Sequence, residues 1–240
     1  MKDEIRYIGV VRSDKGLAVR AARAATKRVI DLAVAGVLVV ALAPFLVLVA
    51  VAIKLDSRGP ALFHQDRVGA KLRLRRAATE WEVTTFRVHK FRSMTSGGDD
   101  AAHQDYITAF VEGEVEESGK EGAAFKLIDD PRVTRLGRFL RKSSIDELPQ
   151  LLNVLRGEMS LVGPRPIPVY EAQQYQAWQM ERFHARPGMT GYWQVHGRGE
   201  VPFEEMMRMD IFYVRNQSLA LDLKLLALTV PAVASGRGAE

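Results

Sequence analysis

The chain has no cysteine among its 240 residues, which excludes disulfides and thiolate metal sites; any metal it held would need oxygen or imidazole ligands. It also lacks a Walker-type GxxxxGK[ST] loop, internal repeats and low-complexity tracts, so a P-loop nucleotide site is excluded. No small-residue cleavage site follows its apolar stretch, which begins too far from the start for a simple signal peptide. The stretch is therefore expected to be retained.

What is present is 47% apolar residues, enough for one domain with a substantial core. A formal charge of +5 favours anionic partners, whether phosphates, nucleic acid or acidic headgroups, without choosing among them. Residues 32–53 run for 22 positions without a charge, near the length that spans a bilayer as a straight helix. Arg20, Arg23, Lys27 and Arg28 precede this run, and Lys54, Arg58, Arg67 and Lys71 follow it. The positive-inside rule disfavours moving either flank across the membrane.

Pro44, near the middle, removes a backbone donor and crowds the carbonyl four residues earlier. Arms of roughly ten residues would descend ~15 Å, about half the hydrocarbon thickness. Two readings follow for residues 27–54: a re-entrant helix hairpin broken at Pro44, or a single span with a proline kink. Lys27 and Arg28 read as interfacial anchors, and Asp31 beside Arg28 as an interfacial ion pair. Residues 1–26 form a polar and basic interfacial segment, with 15–28 suited to an interfacial helix.

Over 61–92 the pattern is strand-like: Lys71, Arg73 and Arg75 alternate with Leu72 and Leu74, and Trp81, Val83, Thr85 and Phe86 favour extended chain. Gly97 to Asp100 make a turn, 101–116 a polar helix, and 112–122 a mobile acidic stretch. A short basic helix is expected over 133–142. Ser144 to Glu147 spell the S-x-x-E capping box of the next helix, whose apolar positions are Leu148, Leu151, Leu152 and Leu155 and which Gly157 ends. Further helices are expected over 170–184, 203–214 and 219–233, the last either a core helix or one lying flat on a membrane surface. Residues 235–240 form a flexible tail.

Asp146 and Glu147 carry the chemistry most worth weighing. An acidic pair in a first helical turn usually serves capping and the dipole. Here Arg141 and Lys142 precede it, and helix amino ends attract phosphate. A carboxylate there is a weak base but an available nucleophile. Lys90 and Arg92 end the strand region, and Arg165 stands between Pro164 and Pro166, which stiffen its loop for a phosphate contact. A later loop with Gly188, Gly191, Gln194, Gly197 and Arg198 is a candidate cover for a nucleotide.

Longer strings resemble the bacterial sugar transferases, the monotopic polyprenyl-phosphate phosphoglycosyl transferases. They are KRVIDL at 27–32, GPALFHQDRVG at 59–69, HKFRSM at 89–94, DDPRVTRLGRFLRKSSIDELPQLLNVLRGEMSLVGPRP at 129–166, RPGMTGYWQVHGR at 186–198 and DLKLL at 222–226. The chain resembles the catalytic module without a multi-span amino-terminal region. Two departures stand out: Ala43 occupies the place before Pro44 where relatives often carry serine, and 70–85 is longer than usual, an extended basic hairpin.

The resemblance implies an α+β, mainly helical membrane-associated domain with a re-entrant membrane helix-break-helix, a small β-hairpin and interfacial amphipathic helices. Residues 55–234 would be the cytoplasmic catalytic domain. Asp146 would attack the β-phosphate of a UDP-sugar and release UMP, and polyprenyl phosphate would then attack the aspartyl phosphosugar. The resemblance assigns Arg141 to holding phosphate, Glu147 to assisting the acceptor, and Asp146 to binding Mg²⁺. Lys90, Arg92, Pro164, Arg165, Pro166, Gln194 and Arg198 would contact substrate. The expected partners are a UDP-sugar donor, polyprenyl phosphate and inner-membrane lipid, with a homodimer and downstream glycosyltransferases as open additions and no nucleic acid. Both termini would be cytoplasmic, at the cytoplasmic face of the bacterial inner membrane, in exopolysaccharide, capsule, O-antigen or glycoconjugate synthesis. No motif encodes the sugar. The alternative reading, resting on basic charge with Trp178 and Trp193, is a membrane-anchored nucleic-acid-binding or scaffold protein without enzymatic activity.

Overall fold

A computed structural model describes residues 8–11, 17–75, 78–95, 108, 132–197 and 201–235. In chain order, the strand β1 (Ile8–Val11) precedes a long helix, α1 (Leu17–Asp56), and two long strands, β2 (Leu62–Arg75) and β3 (Ala78–Phe91). Helix α2 (Arg135–Lys142) runs straight into a 3₁₀ turn, Ile145–Gln150, and helix α3 (Leu151–Arg156). Short pieces follow: β4 (Ser160–Val162), β5 (Ile167–Pro168), α4 (Val169–Ala172), a second 3₁₀ turn Gln179–Phe183, β6 (Gly188–Thr190) and α5 (Tyr192–His196). Helices α6 (Phe203–Arg215) and α7 (Leu219–Ala234) complete the described chain.

The mixed α and β architecture with a small sheet matches the expectation. β2 and β3 pair antiparallel over their full length, from Leu62 opposite Phe91 to Arg75 opposite Ala78, and β1 and β5 flank them in the order β1-β3-β2-β5. A separate parallel pair joins β4 to β6. The polar helix expected at 101–116 and the acidic stretch 112–122 lie outside the described residues, apart from Thr108.

Three local expectations need correction. The capping box does not form, because Ser144 sits at φ 56°, in the left-handed region, and its side chain makes no cap. A capping serine needs an extended backbone to reach the amide three residues on; here α2 ends only at Lys142, and the chain must reverse within two residues. The helix expected over 170–184 is two short pieces, since Gln179 Oε1 accepts the Gln176 backbone amide at 2.7 Å and competes with helical bonding. Among the described residues Asp31 forms no ion pair with an arginine: Arg28 donates to the carbonyls of Val154 and Leu155 at 2.6 and 2.9 Å, while Asp31, 2% exposed, accepts the Leu161 amide at 3.0 Å. The α3 carbonyls and the buried Leu161 amide take both side chains, because buried backbone groups must be satisfied.

Helix α1 is the only described helix long and apolar enough to cross a membrane. The helix-break-helix expected at Pro44 is not seen: α1 stays helical through it, because a proline inside a helix removes one intrahelical bond without having to end the segment. Its two ends meet the same domain. Lys27, Arg28, Asp31 and Ala35 pack at the start, and Val49 and Ile53 pack against Phe91 and Leu140 near the end. Between and around these positions Val37, Val40, Val47, Leu48 and Leu55 are exposed. The spacing of the buried set is that of one helical face. The opposite apolar face has no cover among the described residues, and on α7 Leu223 and Val230 are likewise exposed.

Candidate active site

The 3₁₀ turn that carries Asp146 and Glu147 is held from three sides. Ser144 O accepts the Glu147 amide at 3.2 Å, so the reversal at Ser144 itself starts the turn. β3 lies against it, bringing Lys90 Nζ to 2.8 Å from Glu147 Oε1. Arg165 Nη2 reaches the same oxygen at 3.2 Å from the loop between Pro164 and Pro166. Asp146, the preceding residue of the same turn, is 9% exposed. Side chains 57 and 18 residues distant thus converge on Glu147, the residue after Asp146 in the same turn.

The loop bearing Arg165 is fixed by groups that sequence reasoning did not single out. Arg182 donates to the Arg165 carbonyl at 3.0 Å and to Asp210 Oδ2 at 2.6 and 3.1 Å. Its other amino group meets the Tyr175 hydroxyl at 2.7 Å, which in turn donates to Glu171 Oε1 at 2.6 Å. All four side chains of this network, Arg182, Tyr175, Glu171 and Asp210, are buried or nearly so. Burial pulls against the Arg182 charge, but Tyr175, Asp210 and Glu171 outweigh it and hold the guanidinium protonated. Glu171 is pushed up, by burial first, against the pull of Arg182. Arg67 donates to the Pro166 carbonyl at 3.3 Å; burial, then Arg165, lowers it to about 10, still charged at neutral pH. The segment around Arg165 is therefore bonded through its own backbone, which leaves the guanidinium end to face Glu147.

The remaining expected residues divide by what they touch. Arg141 is partly buried in the last turn of α2 and makes no direct hydrogen bond or ion pair to either carboxylate among the described residues. Arg92 is 6% exposed and donates to the carbonyls of Ile53, Ser57 and Arg58, closing the end of α1. Gln194 donates to the Met189 carbonyl at 3.2 Å. Arg198 lies outside the described residues. Lys27 is bonded to Asp222 at 2.7 Å and Arg28 caps α3, so the protein itself takes the charged ends of both expected anchors.

Helix α2 can approach the strand region because of Gly137. A Cβ at that position would collide with the Ser93 carbonyl, whose oxygen accepts the Thr134 amide at 3.1 Å. Behind the turn, Asn153 is fully buried and joins α3 to β3: its Oδ1 accepts the His89 amide at 3.1 Å, and its Nδ2 donates to Arg87 O at 2.8 Å and to Glu158 at 2.7 Å. Asp31, Arg67 and Asn153 lie within the resembling strings, and that placement was the one signal that could have flagged them.

The chain belongs to the bacterial sugar transferase family, whose model it matches over residues 22–236. It is similar to the exopolysaccharide production protein ExoY of Sinorhizobium fredii, with 37% identity over 221 residues covering 92% of this chain and 91% of that one. It is 43% identical over 215 residues to the UDP-glucose:undecaprenyl-phosphate glucose-1-phosphate transferase of Caulobacter vibrioides, covering 86% of this chain and 69% of the relative. Similarity to the galactosyl transferase CpsE of Streptococcus agalactiae is 39% over 216 residues. There the match covers 90% of this chain but 42% of the relative, so the chain spans less than half of that longer protein.

Proposed function

We propose that this protein transfers a sugar-1-phosphate from a UDP-sugar to polyprenyl phosphate at the cytoplasmic face of the bacterial inner membrane. The observation that carries the reading is the joint grip of Lys90 and Arg165 on Glu147, with Asp146 beside it on the same turn. Two cations poised at a carboxylate pair suit a diphosphate, whose oxygens exchange for Glu147 as acceptors of the same donors. The Asp146 carboxylate attacks the sugar-linked phosphorus, the phosphoanhydride breaks, and UMP leaves. An oxygen of the lipid phosphate then attacks the acyl phosphate, forming polyprenyl diphosphosugar and restoring the carboxylate.

Glu147 holds Lys90 and Arg165 in place between these displacements and orients the acceptor. Arg141, at the adjoining helix end, steadies the phosphate. Mg²⁺ fits the oxygen donors present, since it accepts one or two carboxylates with water and substrate phosphates; Asp146 would hold it, and it would offset the charge of the diphosphate. No group of three acidic or histidine side chains suited to a protein-only metal cage occurs among the described residues.

The apolar run enters one leaflet without crossing, in this reading. Support comes from both flanks being bonded to one domain, Lys27 to Asp222 at the start and Arg92 to the Ile53 and Ser57 carbonyls at the end. A perpendicular span would separate these flanks by the bilayer thickness, about 30 Å. The exposed residues around Pro44 enter deepest, and α7 rests on the same surface. In an assay with undecaprenyl phosphate, Mg²⁺ and a panel of UDP-sugars, the parent chain releases UMP and D146N releases none. UMP release by D146N at the parent rate would remove Asp146 from the chemistry.

A further inference from the structure

A second concavity, of about 400 Å³, opens where the start of α1, the far end of the β2–β3 hairpin and the α6–α7 turn meet. Trp81 lines it, whereas Lys90 of the same strand holds Glu147. Trp81 lies ~30 Å from Lys90 along β3, at ~3.4 Å per residue. Val162, three residues before Arg165, also lines the cavity, but none of Lys90, Asp146, Glu147 and Arg165 does, so its lining is distinct from the carboxylate pair.

Its lining carries four cations, Arg23, Lys27, Arg186 and Arg215, against two carboxylates, Glu181 and Asp222. Each carboxylate is already matched. Lys27 lies 2.7 Å from Asp222, and Arg215 meets Glu181 at 2.7 and 2.8 Å. Arg23 and Arg186 remain without a lining carboxylate. The buried Nε of Arg186 and the buried Nε2 of Gln217 have no acceptor among the described residues. Buried donors are nearly always satisfied in folded proteins, so two at one cavity call for an acceptor-rich occupant. Burial, then neighbouring Arg28, pulls Arg186 below its usual value, with the Asp31 carboxylate opposing. His184, which also faces the cavity, is held toward its neutral form by burial and adds no charge at neutral pH.

Position narrows the ligand. Lys27 stands about 8 Å along α1 from Leu32, where the charge-free run begins, at ~1.5 Å per residue. We propose that this cavity is a second anion site that takes a phosphate group, either the headgroup of an acidic phospholipid or a free phosphate ion, held by Arg186, Arg23 and the Gln217 amide. The lipid source rests on the membrane placement argued above; the anion site is independent of the transfer reaction.

Trp81 supplies a reporter. The full chain is reconstituted in phosphatidylcholine discs, with and without phosphatidylglycerol, and its emission is followed; inorganic phosphate is titrated into the discs that lack acidic lipid. The expected result is a saturable change that W81F abolishes and D146N retains. R186Q raises the half-saturating concentration by about tenfold or more, as for loss of a charged hydrogen bond, and R23Q, at an exposed position, raises it a few-fold. Saturation by inorganic phosphate assigns the free anion, and a response confined to phosphatidylglycerol assigns the headgroup. Absence of any saturable response, or equal affinity of the parent, R186Q and R23Q, overturns the proposal and leaves water as the occupant.

Discussion

Glu147 makes two ion pairs through one oxygen, and the geometry gives each partner a distinct origin: Lys90 from the sheet and Arg165 from a proline-stiffened loop. The value of Arg165 depends on the buried Arg182 beneath it. Replacing Arg182 by leucine strands Asp210 and Glu171 without their cation, and loss of one partner from a buried pair costs about 3–5 kcal/mol. Denaturant unfolding of R182L should therefore show a loss of at least about 3 kcal/mol, whereas R208Q, at a solvent-screened exposed pair, should leave the unfolding midpoint essentially unchanged. A second prediction concerns His184, whose pKa burial lowers from 6.5. A depressed histidine contributes stability that is full above its unfolded pKa and is lost as pH falls through the folded value. The stability of the parent relative to H184Q should then decline as the pH is taken below about 6.5, and a gap constant with pH would contradict it.

At this scale the sequence singles out the acidic pair, Lys90 and Arg165, through charge type and local stiffness, and the fold brings Lys90 and Arg165 onto Glu147. The fate of Arg92 was not legible. A guanidinium serves substrate phosphate or helix-end carbonyls equally well, and only tertiary placement put it against the Ile53 and Ser57 carbonyls. The Arg182–Asp210 pair joins positions 28 residues apart, which no local pattern marks.

Among elements, the β2–β3 hairpin and the two last helices followed from alternation and periodicity, since burial of one face dictates both patterns. Gly157 ends α3 at φ 80°, the left-handed conformation for which glycine is suited. The start of the Asp146 turn was misread because S-x-x-E also occurs where the backbone turns left-handed. The approach of α2 to Ser93 was invisible, because glycine in a helix carries no message about what crosses it. G137A tests this contact: the added methyl must push α2 away from the Ser93 carbonyl. The expected outcome is lower thermal stability together with lower turnover, as Arg141 moves with its helix. Full activity and unchanged melting would show that α2 needs no such closeness. N153A, which breaks three bonds between α3, β3 and Glu158, should cost about 1–3 kcal/mol or more in the same unfolding measurement.

For the whole molecule, the decisive relation is between the apolar helix and the domain it supports. Its composition announced a membrane segment, but composition alone could not choose between a span and a hairpin. The proposed one-leaflet entry rests on the bonds at its two flanks. Because the chain has no cysteine, T26C and D56C can be labelled without background. Both should react with an impermeant reagent from the cytoplasmic side of oriented membrane vesicles, and neither from the opposite side. Reaction from opposite sides would make α1 a span and separate flanks that the fold binds together.

Transfer through a carboxylate also predicts that the sugar phosphate stays with the protein when no lipid acceptor is present. Intact-mass analysis after incubation with the reactive UDP-sugar and Mg²⁺ should reveal one added sugar phosphate on the parent chain, absent from D146N and discharged by undecaprenyl phosphate. An unmodified mass under conditions that release UMP, or the same adduct on D146N, would contradict the account.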